Sequence, residues 1–286
     1  MQLKKDEPLK DRSTFRIGGP ARYFFAPENI KEAKEALKFT KRRKLPVFLL
    51  GNGSNILFSD SGFKGVVIKY SEDCIYIKKN KVIVSAGTNL SKLINLLADC
   101  GLSGLEFLAG IPGLIGGAVA MNAGIRKSEI SKNLVKVKML DLSGREKTLK
   151  KKDLKFGYRK SVLQKGKQLL VEAEFRLRRS TPAKIKKTIK KLILKRQKTQ
   201  PLQFPSAGSV FKNPKGKYAG CLIEAAQCKG MRVGDARVSN KHANFIINCG
   251  KASSANVKKL MGLVCKKVYK KHKIRLFPEI KLVAEK

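Results

Sequence analysis

Residues 107–125 read FLAGIPGLIGGAVAMNAGI, nineteen positions without a charged side chain in a chain that is otherwise dense in lysine. By length alone such a run approaches a membrane span. Its five glycines and Pro112 argue otherwise, because both residue types weaken a helix interior and permit sharp turns. The segment reads as a tight backbone loop. It has few side chains with which to pack, so the rest of the chain must supply a folded frame around it.

Length and composition supply that frame. At 286 residues the chain is long enough for two domains, and 42% hydrophobic residues spread along it argue against disorder. The polar N-terminus, MQLKKDEPLK, has no apolar core of the kind a signal peptide needs, so the expected location is the cytoplasm. Six cysteines (Cys74, Cys100, Cys221, Cys228, Cys249, Cys265) form no CxxC pair, and the only histidines, His242 and His272, lack zinc-finger spacing. They read as reduced, mostly buried thiols, with no metal site expected. With 63 basic against 21 acidic side chains the net charge is +42. That excess bears on solubility, steering and non-specific binding rather than on fold.

Hydrophobic periodicity gives a mixed α and β chain. Helices are expected at 30–40, 90–100 (with Gly101 at its C-terminal end), 183–198, 219–227 and 255–272. Strands are expected at 47–50, 66–70, 74–77, 81–85, 135–142, 169–178, 244–248 and near Ile280. The helix at 183–198 carries Lys184, Lys186, Lys187, Lys190, Lys191, Lys195, Arg196 and Lys198 with no acid, and keeps Ile185, Ile189, Leu192 and Ile193 on one face. One buried stripe and a solvated basic face account for that pattern. It also marks a boundary: 1–180 as one domain, with subdomains at about 1–70 and 71–180, then 181–200 as a basic helical connector and 201–286 as a C-terminal domain.

Two loops are candidates for cofactor contact. After the strand at 47–50 comes Gly51-Asn52-Gly53-Ser54-Asn55, where two glycines allow successive N–H groups to point into one concavity and Ser54 and Asn55 add donors. Such a nest suits phosphate, although a Gly-Asn-Gly turn alone is equally a hairpin or loop, and neither the dinucleotide fingerprint nor a P-loop is present. The second loop, Gly110 to Ala118, is small and apolar. It permits close approach to a flat ring or a pyrophosphate, or tight packing of a helix on a strand.

The segments RIGGPARYFFAPEN (16–29), LGNGSNILFSDSGFKGVVI (50–68), GLEFLAGIPGLIGGAVAMNAG (104–124), YRKS (158–161), PSAGSVFKNP (205–214), VSNKHANFIIN (238–248) and PEI (278–280) extend over nearly the whole chain. Together they resemble the FAD-binding domain of the vanillyl-alcohol-oxidase type, also called PCMH-type, and more closely the UDP-N-acetylenolpyruvoylglucosamine reductases of peptidoglycan synthesis. The resemblance implies an α+β fold: an FAD-binding domain of two α+β subdomains plus a smaller α+β substrate-binding domain. The short sequence separation of Arg159 and Ser209 resembles the compact form of the reductase, without an inserted tyrosine loop.

It also implies roles. NADPH reduces bound FAD, which then reduces the enolpyruvyl double bond of a UDP-sugar, so a cation is needed beside the substrate carboxylate and a proton donor over its neighbouring carbon. Arg159 is the implied cation, Ser209 the donor and Glu279 a polarising partner. Serine is a weak acid and needs a nearby cation to serve. Without the resemblance these three would read as one basic residue among 63, a turn residue and a surface acid. FAD contacts are expected from Gly51, Asn52, Gly53, Ser54, Asn55, Ile111, Pro112, Gly113, Gly116 and Gly117. Substrate contacts are expected from Arg196, Lys212, Asn213 and His242, with Lys241 a further candidate; His242 reads equally as a packed core residue. Partners reduce to the UDP-sugar and NADPH, with no membrane, no specific nucleic acid and a monomeric state. Other readings are a different flavin oxidoreductase of the same fold, or a basic nucleic-acid-binding protein. The chain departs from the family pattern at Leu114 (usually a hydroxyl residue), Arg126-Lys127 (aromatic-glycine), Gln227 (glycine) and Arg237 (glutamine). Leu114 removes a donor to the cofactor, and Arg126 and Lys127 are candidates to contact phosphate instead.

Overall fold

A computed structural model describes residues 3–125 and 128–283. In chain order it places β1 (Leu3–Pro8), β2 (Pro20–Phe25), α1 (Ile30–Arg42), β3 (Val47–Leu49), β4 (Ile56–Phe58) and β5 (Phe63–Ile68). Next come β6 (Ile75–Lys78), β7 (Lys81–Ser85), α2 (Leu90–Asp99), β8 (Leu102–Ser103), α3 (Ile115–Ala120), β9 (Gly124–Ile125) and β10 (Ser128–Glu129). The chain continues through β11 (Leu134–Asp141), β12 (Glu146–Lys150), β13 (Gln168–Arg176), β14 (Arg178–Arg179) and α4 (Pro182–Thr199). It ends with β15 (Ser206–Ser209), α5 (Ala219–Ala225), β16 (Arg232–Val233), β17 (Ala236–Val238), β18 (Phe245–Asn248), α6 (Ser254–His272) and β19 (Lys281–Val283). Arg126 and Lys127, the expected phosphate contacts, lie outside the described residues.

Local sequence explains the helices. Asn29 caps α1, its side-chain oxygen accepting from Glu32 N at 2.9 Å, and Ala33, Ala36, Leu37 and Thr40 form the buried face. α2 buries Leu90, Leu93, Ile94, Leu97 and Ala98, and ends where Gly101 takes φ +64°. α4 buries only Ile185 and Ile189, leaving Lys184, Lys186, Lys187, Lys190, Lys191, Lys195 and Lys198 exposed. The uncharged run at 107–125 is less irregular than its composition suggests: it contains α3, whose six residues are far short of a membrane span. No helix among the described residues is long and apolar enough to cross a membrane.

The chain forms two compact units that are discontinuous in sequence. The first takes Tyr23–Asn52, Gly65–Lys195 and the chain up to Lys5. It holds most of a sheet of order β1-β2-β5-β3, with β3 and β5 parallel, a sheet of order β12-β11-β13-β7-β6, antiparallel throughout, and two short antiparallel pairs, β9 with β10 and β8 with β14. One continuous apolar core runs from Tyr23 and Phe25 through Val66, Leu93, Val119 and Phe175 to Ile189.

The second unit takes Asp6–Arg22, Gly53–Lys64 and the chain from Arg196 onward. This departs from the linear division at 180–200, and the packing gives the reason. Phe15, Ile17 and Leu57 are almost fully buried in the same core as Ala219, Val257, Leu260 and Ile280, and β4 pairs in parallel with β19. Segments 6–22 and 53–64 therefore complete the core of the C-terminal unit. Its sheet, β15-β18-β17-β16, is covered by α6. α6 starts at a Ser253/Asn256 capping box and is held further by Asp60, whose carboxylate accepts from Ser254 N (2.7 Å), Ser254 Oγ (2.8 Å) and Ala255 N (3.2 Å).

The thiols correct a second expectation. All six are free, but only Cys228 is buried; Cys74, Cys100 and Cys221 are exposed and Cys249 and Cys265 half-buried. Cys100 follows α2 and Cys221 occupies the outer side of α5, positions where a small side chain meets water rather than the core. Burial pushes the Cys228 thiol up, and the same holds for Cys265.

Candidate active site

Three constellations contain the residues singled out by sequence. The first is a side-chain-free surface in the first unit. Leu50 N donates to Ile68 O, which ends the β3 ladder at Gly51, and Gly51 meets the glycine-rich segment: a Cβ built on it would lie 3.5 Å from Gly117 Cα. That segment is pinned along its backbone. Leu90 N donates to Gly113 O (3.0 Å), Ile115 N to Thr88 O (3.0 Å) and Gly116 N to Ala86 O (2.8 Å). A Cβ on Gly113 would stand 3.2 Å from the tip of the Leu90 side chain, which can give way, whereas one on Gly116 would stand 3.2 Å from Ala86 Cβ and 3.3 Å from Ala86 O, so packing disfavours a side chain at Gly116. Gly117 is different: nothing lies within 4 Å of where its Cβ would stand. The open face of two adjoining glycine backbones is a cradle that fits a flat aromatic group or a pyrophosphate. Leu114 begins α3 without a side-chain cap, so the family departure there leaves the helix start to backbone groups alone.

Other expected cofactor residues have protein partners of their own. Gly53 (φ +66°) belongs to the second unit, and a Cβ on it would fall 2.1 Å from Arg12 O. Its glycine is thus demanded by chain crossing. Asn55 Nδ2 donates to Glu279 O (3.2 Å) and Asn55 O accepts from Lys281 N (2.9 Å). Asn52 and Ser54 are half-buried, Ile111 N donates to Leu108 O, and Pro112 is exposed.

The second constellation surrounds Arg159, also in the first unit. Gly157 to Lys160 form a turn closed by Lys160 N on Gly157 O and by Gly157 N on Lys160 O, both 3.0 Å. Arg159 has φ +53°, a left-handed conformation that costs a side-chain-bearing residue roughly 1–2 kcal/mol. Its Nη2 donates to Gly124 O (3.0 Å), and its guanidinium lies 5.2 Å from the centre of the Tyr158 ring. The cation is therefore tied to the end of the same glycine-rich segment.

The third lies in the second unit, where residues 209–212 run antiparallel to 277–279. Ser209 pairs with Phe245 across β15 and β18, Val210 O accepts from Glu279 N (2.7 Å), Phe211 bridges Pro278, and Lys212 N donates to Phe277 O (2.9 Å). Ser209 and Glu279 thus occupy neighbouring positions on adjacent chain segments, with Asn55 fastened to the Glu279 carbonyl. Asn244, 4% exposed, locks this ladder: its Oδ1 accepts from Phe211 N (3.0 Å) and its Nδ2 donates to Phe211 O (2.8 Å). Sequence reasoning quoted Asn244 within a motif but gave it no role; a buried amide that satisfies both backbone groups of one distant residue is visible only in three dimensions.

The expected substrate residues separate. Asn213 Oδ1 accepts from Ala219 N (2.9 Å) and so helps start α5. His242 Nδ1 accepts from Asn244 N (3.2 Å), its ring meets Phe245 edge-on at 4.8 Å, and burial holds its pKa below the usual imidazole value. Both are engaged within the protein. Arg196 Nη1 reaches Gln200 Oε1 at 3.5 Å, and Lys241 Nζ donates to Gln197 O. Lys212 is half-buried beside the Ser209 strand. Gln227 takes φ +55° just after α5, which accounts for glycine as the usual residue there, and Arg237 sits over the Phe204 ring at 5.8 Å.

The FAD binding domain family matches residues 21–150, and the C-terminal domain family of UDP-N-acetylenolpyruvoylglucosamine reductase matches 200–283. The UDP-N-acetylenolpyruvoylglucosamine reductase of Caldanaerobacter subterraneus subsp. tengcongensis is 41% identical over 286 residues, covering all of this chain and 95% of that protein. The enzyme of the same name from Clostridium novyi is 40% identical over 99% of this chain and 93% of its own length. Among solved structures, the reductase of Thermus caldophilus superposes with a TM-score of 0.84 at 36% identity, covering 99% of this chain and 98% of that one. On these grounds the chain belongs to the UDP-N-acetylenolpyruvoylglucosamine reductase family.

Proposed function

We propose that the chain reduces UDP-N-acetyl-3-O-(1-carboxyvinyl)-glucosamine to UDP-N-acetylmuramate with NADPH through bound FAD, in peptidoglycan precursor synthesis, as a cytoplasmic monomer. The observation that carries this reading is the pinned cradle of Gly51 and Gly117, with Arg159 tied to the same glycine-rich segment at Gly124. When bound, the flavin supplies hydride transfer from NADPH to the enolpyruvyl double bond.

The chain's own residues do the rest. Gly51, Asn52, Gly53, Ser54, Asn55, Ile111, Pro112, Gly113, Gly116 and Gly117 hold the cofactor chiefly through backbone. Arg159 pairs with the substrate carboxylate and stabilises the negative charge that builds there as one alkene carbon gains a hydride. Ser209 gives its hydroxyl proton to the neighbouring carbon, so one hydride and one proton add across the double bond. Glu279 polarises that end of the substrate. Lys212 and Arg196 offer cations to the diphosphate, while Asn213 and His242 shape the segments that carry Lys212 and Ser209.

The test separates the half-reactions by stopped flow. Ser209→Ala is expected to leave flavin reduction by NADPH intact and to slow reoxidation by the UDP-sugar at least 100-fold, the scale of a lost proton donor. Equal loss of both half-reactions, or loss of neither, contradicts the assignment.

A further inference from the structure

The Arg159 turn has a support that the reaction chemistry does not require by itself. In a four-residue turn whose third residue has positive φ, that place ordinarily goes to glycine or asparagine; here it holds arginine at φ +53°. Backbone held in so sparsely populated a conformation persists when its surroundings over-determine it. Two side-chain amides do so. Gln164 Nε2 donates to Arg159 O at 2.7 Å, and Asn122 Nδ2 donates to Gly157 O at 3.0 Å.

Both amides are themselves fixed. Asn122 is fully buried, its Oδ1 accepts from Ser131 N (3.3 Å) and its Nδ2 also reaches Glu129 Oε2 (2.9 Å). Gln164 lies in the short 3-10 turn Val162–Lys165, five residues after Arg159, and its Nε2 also contacts Met121 Sδ at 3.1 Å. The residue that leaves the turn is held too: Ser161 Oγ donates to Ala120 O at 2.6 Å. Rotating the peptide between Arg159 and Lys160 would break the Gln164 bond and the Lys160–Gly157 turn bond together, and so loosen the turn from which the guanidinium reaches Gly124 O.

We infer that Gln164 is a positioning residue for the reductive step, holding the Arg159 carbonyl while Asn122 holds the Gly157 carbonyl, so that the guanidinium is presented to the substrate carboxylate. The inference rests on the role proposed above for Arg159. Gln164 itself touches neither substrate nor cofactor in this account.

The experiment uses the full-length, FAD-loaded protein and measures the two half-reactions separately. Gln164→Leu preserves volume and removes the donor. Expected are NADPH reduction of the flavin within twofold of the parent and reoxidation by saturating UDP-sugar about 10-fold slower, the order that follows from a small misplacement of a catalytic group. Gln164→Glu adds a pH signature. Its carboxyl donates to the Arg159 carbonyl only when protonated, so the reoxidation rate should recover as pH falls toward about 4.5, a limb the parent lacks. In an Arg159→Ala background, Gln164→Leu should slow reoxidation no further. Equal slowing of both half-reactions, no slowing of either, or full additivity with Arg159→Ala overturns the inference. If Arg159→Ala leaves reoxidation intact, the role of Arg159 fails and the inference falls with it; if Arg159→Ala abolishes reoxidation while Gln164→Leu is silent, only the inference falls.

Discussion

Gly117→Ala sets fold stability and cofactor affinity in opposition. Gly117 lies inside α3, where replacing glycine by alanine stabilises a helix by about 0.5–1 kcal/mol, and the added methyl meets no protein atom within 4 Å. The apoprotein should therefore unfold at equal or higher urea concentration than the parent. The methyl does, however, stand on the open face of the cradle, where a bound flavin must approach the backbone. Overpacking by one such group costs roughly 1–3 kcal/mol. At about 1.4 kcal/mol per factor of ten, FAD affinity should fall about 5- to 150-fold. Apoprotein titrated with FAD, followed by quenching of flavin fluorescence, gives one number and urea unfolding of the same apoprotein gives the other. Gly116→Ala serves as the contrast, because its methyl would lie 3.2 Å from Ala86 Cβ and 3.3 Å from Ala86 O and should weaken the fold itself. An unchanged FAD dissociation constant in a stable Gly117→Ala protein would refute the cradle.

Two further outcomes test the second unit. Burial lowers the His242 pKa in the folded protein, so the unfolded chain takes up protons more readily; stability present above the ordinary value of 6.5 is lost as pH falls below it, and His242→Asn should flatten that slope in urea midpoints between pH 7.5 and 5.5. Asp60→Ala removes the acceptor for three groups at the start of α6 and should cost about 1–2 kcal/mol without altering FAD affinity; a midpoint indistinguishable from the parent would show that the capping box alone suffices.

The helices and the long strands were legible because their signals are local. The apolar spacing of residues 30–40 and 90–100 gave α1 and α2 to within two residues, and the strand at 81–85 matches β7. The two-unit organisation was not legible. Leu57, in the motif after Gly51, shows nothing in its neighbours to say that it packs with Val257 and Ile280 some two hundred residues later. Parallel pairing of β4 with β19 is likewise a long-range choice, decided by which apolar faces find each other. The candidate site divided along the same line. Glycines at 51, 113, 116 and 117 announce backbone approach, but glycine composition does not say whether a neighbour is ligand or protein, and at Gly53 the neighbour is Arg12. Asn122, Gln164 and Asn244 carried no signal at all, since an amide that clamps a distant turn looks in sequence like any other amide.

The surplus of positive charge follows from the same contrast of local and long-range choice. With three basic residues for each acid, the acids at sheet positions are shared: Glu174 pairs with Lys81 and Lys136, Glu146 with Lys34 and Lys138, and Asp141 with Arg145 and Lys147. Glu174, 7% exposed, is the least hydrated of the three, and hydrogen bonds from their partners hold the Asp141 and Glu146 carboxyls well below the usual carboxylate range. In α4, by contrast, Lys186 pairs with Asp99 in the described structure, while the exposed lysines around it have no acid on their own helix. Like charges at helical spacing repel, by a few tenths of a kcal/mol per pair, so α4 is held by Ile185 and Ile189 in the first core and not by its surface. A basic field of this kind draws in anions such as NADPH and a UDP-sugar, and salt screens it over about 10 Å. It assigns no chemistry: the groups proposed to act on the substrate are fixed by backbone carbonyls, buried amides and glycine contacts, each indifferent to how many lysines cover the outside.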